Sequence, residues 1–280
     1  MVNALSEITK YDITKYRVLW LGCTALLPLV ALQGRRLRQN IPRLPEAGGA
    51  RTGLVGSSSA GRTLSIAVIG ESSAAGVGVE AHTEGLPHHL ACLVSERLRR
   101  PVRWSVIGRH GATLAKVQKH APQQVEPHAD AVVVLVGVND TIQMTRSRAW
   151  AGGARALATR LREGGARRVV FSGLPPIHRF PSLPHPLRAV MGTRAKLLDA
   201  VLRDVASTLP GTSYAPVHFE ADPRFVSRDG FHPSERGYAE WARNVAAHLV
   251  PLLARDAAPA PGDPAHDPPR IHDFTLPRSA

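Results

Sequence analysis

Three groups in this sequence are suited to covalent chemistry. They are a serine on a glycine-rich turn, an asparagine beyond an apolar run, and a histidine three residues after an aspartate. Gly70-Glu71-Ser72-Ser73 follows directly on the apolar residues 65–69 (SIAVI). A serine on a tight turn after a strand exposes its hydroxyl and leaves its own backbone N–H facing an incoming carbonyl. Gly70 lets the chain turn there without a side-chain clash. Gly137-Val138-Asn139-Asp140 follows a second apolar run at 131–136. The Asn139 amide is placed to donate to a developing oxyanion, although Asn and Asp at such a position are also ordinary turn or cap residues. Gly111, after Arg109 and His110, offers a second backbone N–H to the same place. Asp229-Gly230-Phe231-His232-Pro233-Ser234 precedes a helical pattern. Asp229 can reach the imidazole from three residues away, fixing its tautomer and stabilising the imidazolium that forms during proton transfer. The same stretch reads as a helix start, with Ser234 as its cap, and the two readings are compatible.

These residues need a scaffold that brings distant loops together. Short apolar runs at 65–69, 104–107, 131–136 and 168–172 are the strand candidates, with a weaker fifth at 212–214. Residues 131–136 form a continuous, mostly β-branched run, as expected of a strand covered on both faces. Helical periodicity occupies the gaps at 86–100, 148–163, 188–208 and 235–253. Alternating strand and helix predicts a parallel sheet with helices on both faces. Ligands then bind beyond the carboxyl ends of the strands, which is where Ser72, Gly111 and Asn139 fall. Doubly wound sheets also bind nucleotides, but the glycines here lack the G-x-G-x-x-G spacing and no P-loop lysine follows.

The chain of 280 residues is 44% hydrophobic, enough for one sizeable core. Its formal charge is +13, yet the basic runs are short and scattered and carry no helix-turn-helix, zinc-finger or RNA-binding pattern. No nucleic-acid partner is expected. Cys23 and Cys92 are the two cysteines, so there is neither a disulfide framework nor a cysteine metal site.

The predicted organisation is an N-terminal apolar helix at 1–38, a linker or extended surface segment at 39–62, a catalytic domain at 63–254, and a Pro/Ala-rich disordered tail at 255–280. Within the first segment, Val18 to Leu32 is apolar between Lys15 and Arg17 on one side and Arg35, Arg36 and Arg38 on the other. It falls short of the roughly 20 residues that cross a bilayer, and Pro28 interrupts it. No small-residue cleavage site follows, as a secretory leader would require. Acylation of Cys23 would want a longer apolar run before it and a small aliphatic residue where Trp20 stands. Two readings remain, a membrane-surface anchor held by basic flanks and a helix docked on the domain. Both favour a cytoplasmic or peripheral-membrane location over secretion.

Taken together, Gly70-Glu71-Ser72, Gly111, Gly137-Val138-Asn139-Asp140 and Asp229–His232 resemble the four blocks of the SGNH/GDSL hydrolases, in that family's chain order. The resemblance implies a three-layer α/β/α fold with a parallel, flavodoxin-like sheet. It implies an esterase acting through an acyl-enzyme, with no metal or organic cofactor. Carried over by position, Ser72 is the nucleophile, His232 its general base, and Asp229 the residue that orients His232. The Ser72 and Gly111 N–H groups and the Asn139 side chain form the oxyanion hole. Glu71 stands where the family usually has Asp, which puts loop geometry and substrate preference in question. Residues 174–178 resemble the family's variable region and should border the pocket, with His178 and His185 at the surface or rim.

The leading expectation is therefore a carboxyl-ester hydrolase of the esterase or lysophospholipase kind, acting on a lipid or small-molecule acyl ester. A carbohydrate O-deacetylase or an acyltransferase would use the same groups. A non-catalytic, membrane-associated binding protein on this scaffold is the alternative from another class, and such a module has no use for Ser72, Asp229 and His232 together.

Overall fold

The computed structural model describes residues 2–57, 61–219 and 222–257. A six-stranded sheet lies at its centre: β1 (Thr52–Val55), β2 (Leu64–Gly70), β3 (Val102–Gly108), β4 (Ala131–Leu135), β5 (Val169–Ser172) and β6 (Thr212–Ala215). They are ordered β1-β3-β2-β4-β5-β6 across the sheet. The five strands from β2 to β6 are parallel, and their order 2-1-3-4-5, counted among themselves, is the flavodoxin-like arrangement.

Parallel strands joined by right-handed crossovers need helices on both faces, and the sequence supplies them. On one face, α3 (Leu86–Leu98) and α8 (Glu235–Ala257) bury Leu90, Val94, Val245 and Leu249 against Val133 and Leu135 of β4. On the other, α6 (Ser147–Glu163) and α7 (Leu187–Thr208) bury Trp150, Leu157 and Leu198 against Val132 and Val134. Alternate β4 residues thus serve opposite cores, which explains why all five of its residues are apolar and buried. Two short helices, α4 (Leu114–His120) and α5 (Val138–Ile142), had no counterpart in the sequence reading, being too brief to show a period.

Two expectations about the N-terminal third are refined. Residues 39–62 were expected as a linker or surface segment, but α2 (Leu27–Asn40) runs into them and residues 42–55 form a strap built into the domain. Its last part is β1, which pairs antiparallel with β3 at the sheet edge and departs from the all-parallel expectation. Gly53 permits this pairing, since a Cβ there would lie 2.7 Å from the Trp104 indole. The segment before it forms α1 (Val2–Cys23) and α2, joined by a single 3-10 turn ahead of Pro28, and α1 packs along α7. The predicted tail lies outside the described residues from 258 onward, while 255–257 complete α8.

The end of β3 presses tightly against the loop after β2. A Cβ on Gly108 would lie 2.3 Å from the backbone nitrogen of Ala75 and 2.6 Å from the Ala74 carbonyl carbon. Both atoms are backbone, so no side chain can move aside. Gly108→Ala is expected to destabilise the protein by at least about 1–3 kcal/mol, the range for overpacking a close-packed site. Urea denaturation measures this, and an unchanged midpoint would show that the loop after β2 has room to retreat.

Candidate active site

The turn that follows β2 carries Ser72 into the heart of the sheet's carboxyl end. Gly70 has φ +154° and lies so close to β4 that a Cβ would sit 2.0 Å from the Leu135 carbonyl oxygen. No other residue turns there so sharply. The Glu71 N–H then donates to Leu135 O at 3.0 Å, and the chain coils over residues 71–78.

Opposite this turn stands the loop before α8. Asp229 is buried, and one of its carboxylate oxygens accepts the Phe231 and His232 N–H groups at 2.9 Å each. Its other oxygen meets His232 Nδ1 at 2.6 Å. On the far side of the ring, His232 Nε2 lies 3.0 Å from Ser72 Oγ. Ser72, His232 and Asp229 therefore form one hydrogen-bonded row across 160 residues of sequence. Burial by itself would raise the Asp229 carboxyl. The bonds from the His232 ring and the two N–H groups outweigh it and hold this carboxyl below the ordinary carboxylate range. The anion is thus maintained beside the ring nitrogen it must orient.

Several contacts lock the two loops to each other. Gly78 (φ +110°) lets the Ser72 loop approach until a Cβ would be 2.3 Å from Pro233 O. The buried Tyr238 hydroxyl of α8 donates to Val77 O at 2.7 Å, and the Ser227 hydroxyl donates to Gly78 O at 3.3 Å. Ser234 accepts the Gly237 N–H at 3.2 Å, so the cap and the histidine loop coexist in one segment.

The candidate oxyanion donors sit on the turn after β2, the loop after β3 and the start of α5. The N–H groups of Ser72 and Gly111 meet no acceptor among the described residues. Gly111 adopts φ +70°, a conformation that favours glycine. Asn139 differs from the simple expectation of a free amide. Its Nδ2 donates to Glu71 at 2.7 Å and to Ala112 O at 3.2 Å. Glu71 is the reason, because its carboxylate also accepts the Val138 and Asn139 N–H groups at 2.9 Å each. The longer acid found in place of the family's Asp bridges the β2 turn to the start of α5 and grips Asn139 from both sides. Asp140 does not cap the helix it stands in, as the turn-or-cap alternative would have it; it accepts the Leu114 N–H at 2.8 Å at the head of the earlier α4 and so fixes the stretch after Gly111.

A pocket of about 140 Å³ opens from Ser72 and His232 between α5, the 175–181 segment and the loop before α8. Phe180, Phe219, Phe225 and Phe231 line it, four of the six phenylalanines in the chain, together with Trp241. Pro175 and Pro176 border it as expected of residues 174–178. His178 packs against Gly192 and His185 is exposed, and neither is among the residues that line the pocket.

The sequence reading missed the strap. Glu46 accepts the His110 N–H at 2.7 Å and pairs with Arg51 at 2.6 Å, while Arg51 donates to Gly108 O at 3.0 Å. Ala47 N–H donates to Ala75 O at 3.1 Å. These contacts brace both the Gly111 loop and the Ser72 loop from outside. The His110 ring itself stands 5.7 Å from that of His232. Nothing in a Pro/Gly-rich stretch signals such a role, because it rests on long-range partners.

A flavodoxin-like sheet with a Ser–His–Asp row at its carboxyl edge defines an architecture of the serine-hydrolase class. The sequence profile of the GDSL-like lipase/acylhydrolase family matches residues 68–240, and the chain belongs to that family. It is 30% identical over 211 residues to the GDSL-like esterase Rv1075c of Mycobacterium tuberculosis, which covers 72% of this chain. The chain spans 65% of the length of that relative. Among solved structures, a family 3 carbohydrate esterase of Clostridium thermocellum superposes with a TM-score of 0.56 at 18% identity, over 70% of this chain and all of that one. A lipase/acylhydrolase of Enterococcus faecalis superposes with a TM-score of 0.51 at 21% identity, over 68% of this chain and 96% of that one. At such identities the likeness is one of fold.

Burial, with Asp140 nearby, pushes the Glu71 carboxyl up to about 7 despite its three N–H donors. A carboxyl raised in the folded state binds protons that the unfolded chain has released. Its contribution to stability is then full at acid pH and lost as the pH climbs towards 7. Glu71→Gln, which stays neutral, is expected to flatten that decline in urea denaturation between pH 5 and 8. Parallel pH profiles for the two proteins would show that Glu71 does not titrate there.

Proposed function

We propose that this protein hydrolyses carboxylic esters through an acyl-enzyme formed on Ser72. The observation that carries the reading is the Ser72–His232–Asp229 row opening directly into an apolar, aromatic pocket. Ser72 Oγ attacks the ester carbonyl while His232 Nε2 accepts its proton, and Asp229 steadies the imidazolium. The carbonyl oxygen becomes an oxyanion held by the Ser72 and Gly111 N–H groups and by Asn139. For that third bond, the Asn139 amide gives up its longer contact with Ala112 O and keeps the shorter one with Glu71. Collapse of the intermediate breaks the bond to the alcohol, which leaves with the proton from His232. Water, activated by the same imidazole, then releases the acid and restores Ser72.

The substrate class follows from the pocket. Its walls are mostly phenyl rings and prolines, with Arg179 and Asp222 the charged residues among them, so it suits the acyl chain of the ester. A cavity of about 150 Å³ holds a benzene ring, so this one should take an acyl chain of about four to six carbons. The carbohydrate-esterase neighbour keeps deacetylation of sugars in view as the competing outcome, and an acyltransferase would use the same acyl-enzyme with another hydroxyl in place of water.

Turnover of p-nitrophenyl esters should rise from acetate to butyrate or hexanoate and fall for long chains. Acetylated sugars hydrolysed faster than any of these would replace this reading with the deacetylase one. Ser72→Ala should remove turnover while leaving the thermal melt unchanged. Asn139→Ala should lower kcat about 10²–10³-fold with little change in KM. An effect confined to KM would make Asn139 a binding residue instead.

A further inference from the structure

The α1–α2 hairpin-free rod at the edge of the molecule has two apolar faces, and the fold uses only one. Ile13, Tyr16, Trp20, Cys23, Val30 and Leu37 recur at steps of three, four and seven residues, and all are at least half-buried and packed against the domain core. Polar links fasten this face along its length. Trp20 lies over the Arg194 guanidinium of α7 at 4.7 Å, and Asp12 pairs with Arg203 at 3.7 Å. The Gln33 amide grips His185 O at 2.7 Å and Leu187 N at 3.0 Å.

The opposite face is apolar and bare. Val18, Leu21, Leu29 and Leu32 lie on one outward row and Leu19 and Leu26 beside it, with 41–67% of their surface exposed. They are six of the nine exposed large hydrophobics among the described residues. A patch about 22 Å long on an otherwise well-buried protein marks a contact surface. Its ends name the occupant. Lys15 and Arg17 are exposed before it, and Arg35, Arg36 and Arg38 after it, with no acid between Asp12 and Glu46.

We propose that this outer face is a docking surface for an anionic lipid bilayer. The leucines sink to the headgroup–acyl boundary while the flanking arginines pair with lipid phosphates. Residues 12–40 are long and apolar enough to cross a membrane by composition alone. The polar links from Asp12 to Gln33 instead hold the rod flat on α7, so it lies on the surface and does not span it. A second copy of the chain fits less well, since it would oppose five like charges to five others. The Gln33 clamp fastens the rod to His185 and Leu187, a few residues along the chain from the pocket wall at Phe180 and Pro181.

Co-sedimentation of the full chain with phosphatidylcholine vesicles, with and without phosphatidylglycerol, tests this. Binding to the anionic vesicles should be at least about tenfold tighter and should be released by carbonate at high pH. Leu21→Asp/Leu29→Asp should lose binding to both vesicles, with an unchanged circular dichroism spectrum. Arg35→Glu/Arg36→Glu, at exposed positions, should lose only the preference for phosphatidylglycerol, and it serves as the test if the first variant misfolds. Failure of the native chain to sediment with anionic vesicles overturns the proposal. So does resistance to carbonate, which means a spanning helix. A light-scattering dimer that Leu21→Asp/Leu29→Asp dissociates, with no vesicle binding, would assign the face to a second copy.

Discussion

The buried carboxylate of Asp229 is the constraint on which the site depends. An anion taken out of water is costly unless every lone pair that faces the protein is met. Here one oxygen is met by the two N–H groups that shape its own loop and the other by the His232 ring. The bonds that make the loop are therefore the bonds that aim the imidazole. The loop cannot relax without stranding the charge, and the ring cannot turn without losing its partner. The rest of the fold delivers Ser72 to the far ring nitrogen, through the Gly70 turn against β4 and the Gly78 contact with Pro233.

A second buried acid does similar work at the other strand ends. Glu71 binds the first two N–H groups of α5 and the Asn139 amide, so the residue before Ser72 also sets the position of the amide proposed as the third oxyanion donor. The two acids differ in their electrostatics. Asp229 has charge-assisted bonds that overcome burial, whereas Glu71 is more deeply enclosed beside another acid and burial prevails. The strap adds a third brace from outside the family-matched region, with Glu46 fixing the residue next to Gly111.

Much of this was legible in the sequence because it rests on local signals. The apolar run of β4 is read from its composition, and its neighbours from strand–helix alternation. The Asp229–His232 spacing predicts a short reach that the loop indeed has. What escaped the reading depends on partners far along the chain. Residues 42–55 have turn-former composition, and only the edge of β3 makes a strand of 52–55. The pocket phenylalanines come from two separate connections, β5–α7 and β6–α8, and no period connects them. Asn139 reads from its spacing as an oxyanion donor or a turn residue, but the extra methylene of Glu71 gives its amide a resting partner that no spacing rule foresees.

The central claim is that Ser72 is activated as a nucleophile by His232, and trapping it tests this most directly. A serine-directed fluorophosphonate should add one mass equivalent per chain, located at Ser72 by peptide mass spectrometry, and His232→Ala should abolish the addition. Labelling at another serine, or labelling of Ser72 that persists at the native rate in His232→Ala, would contradict the account.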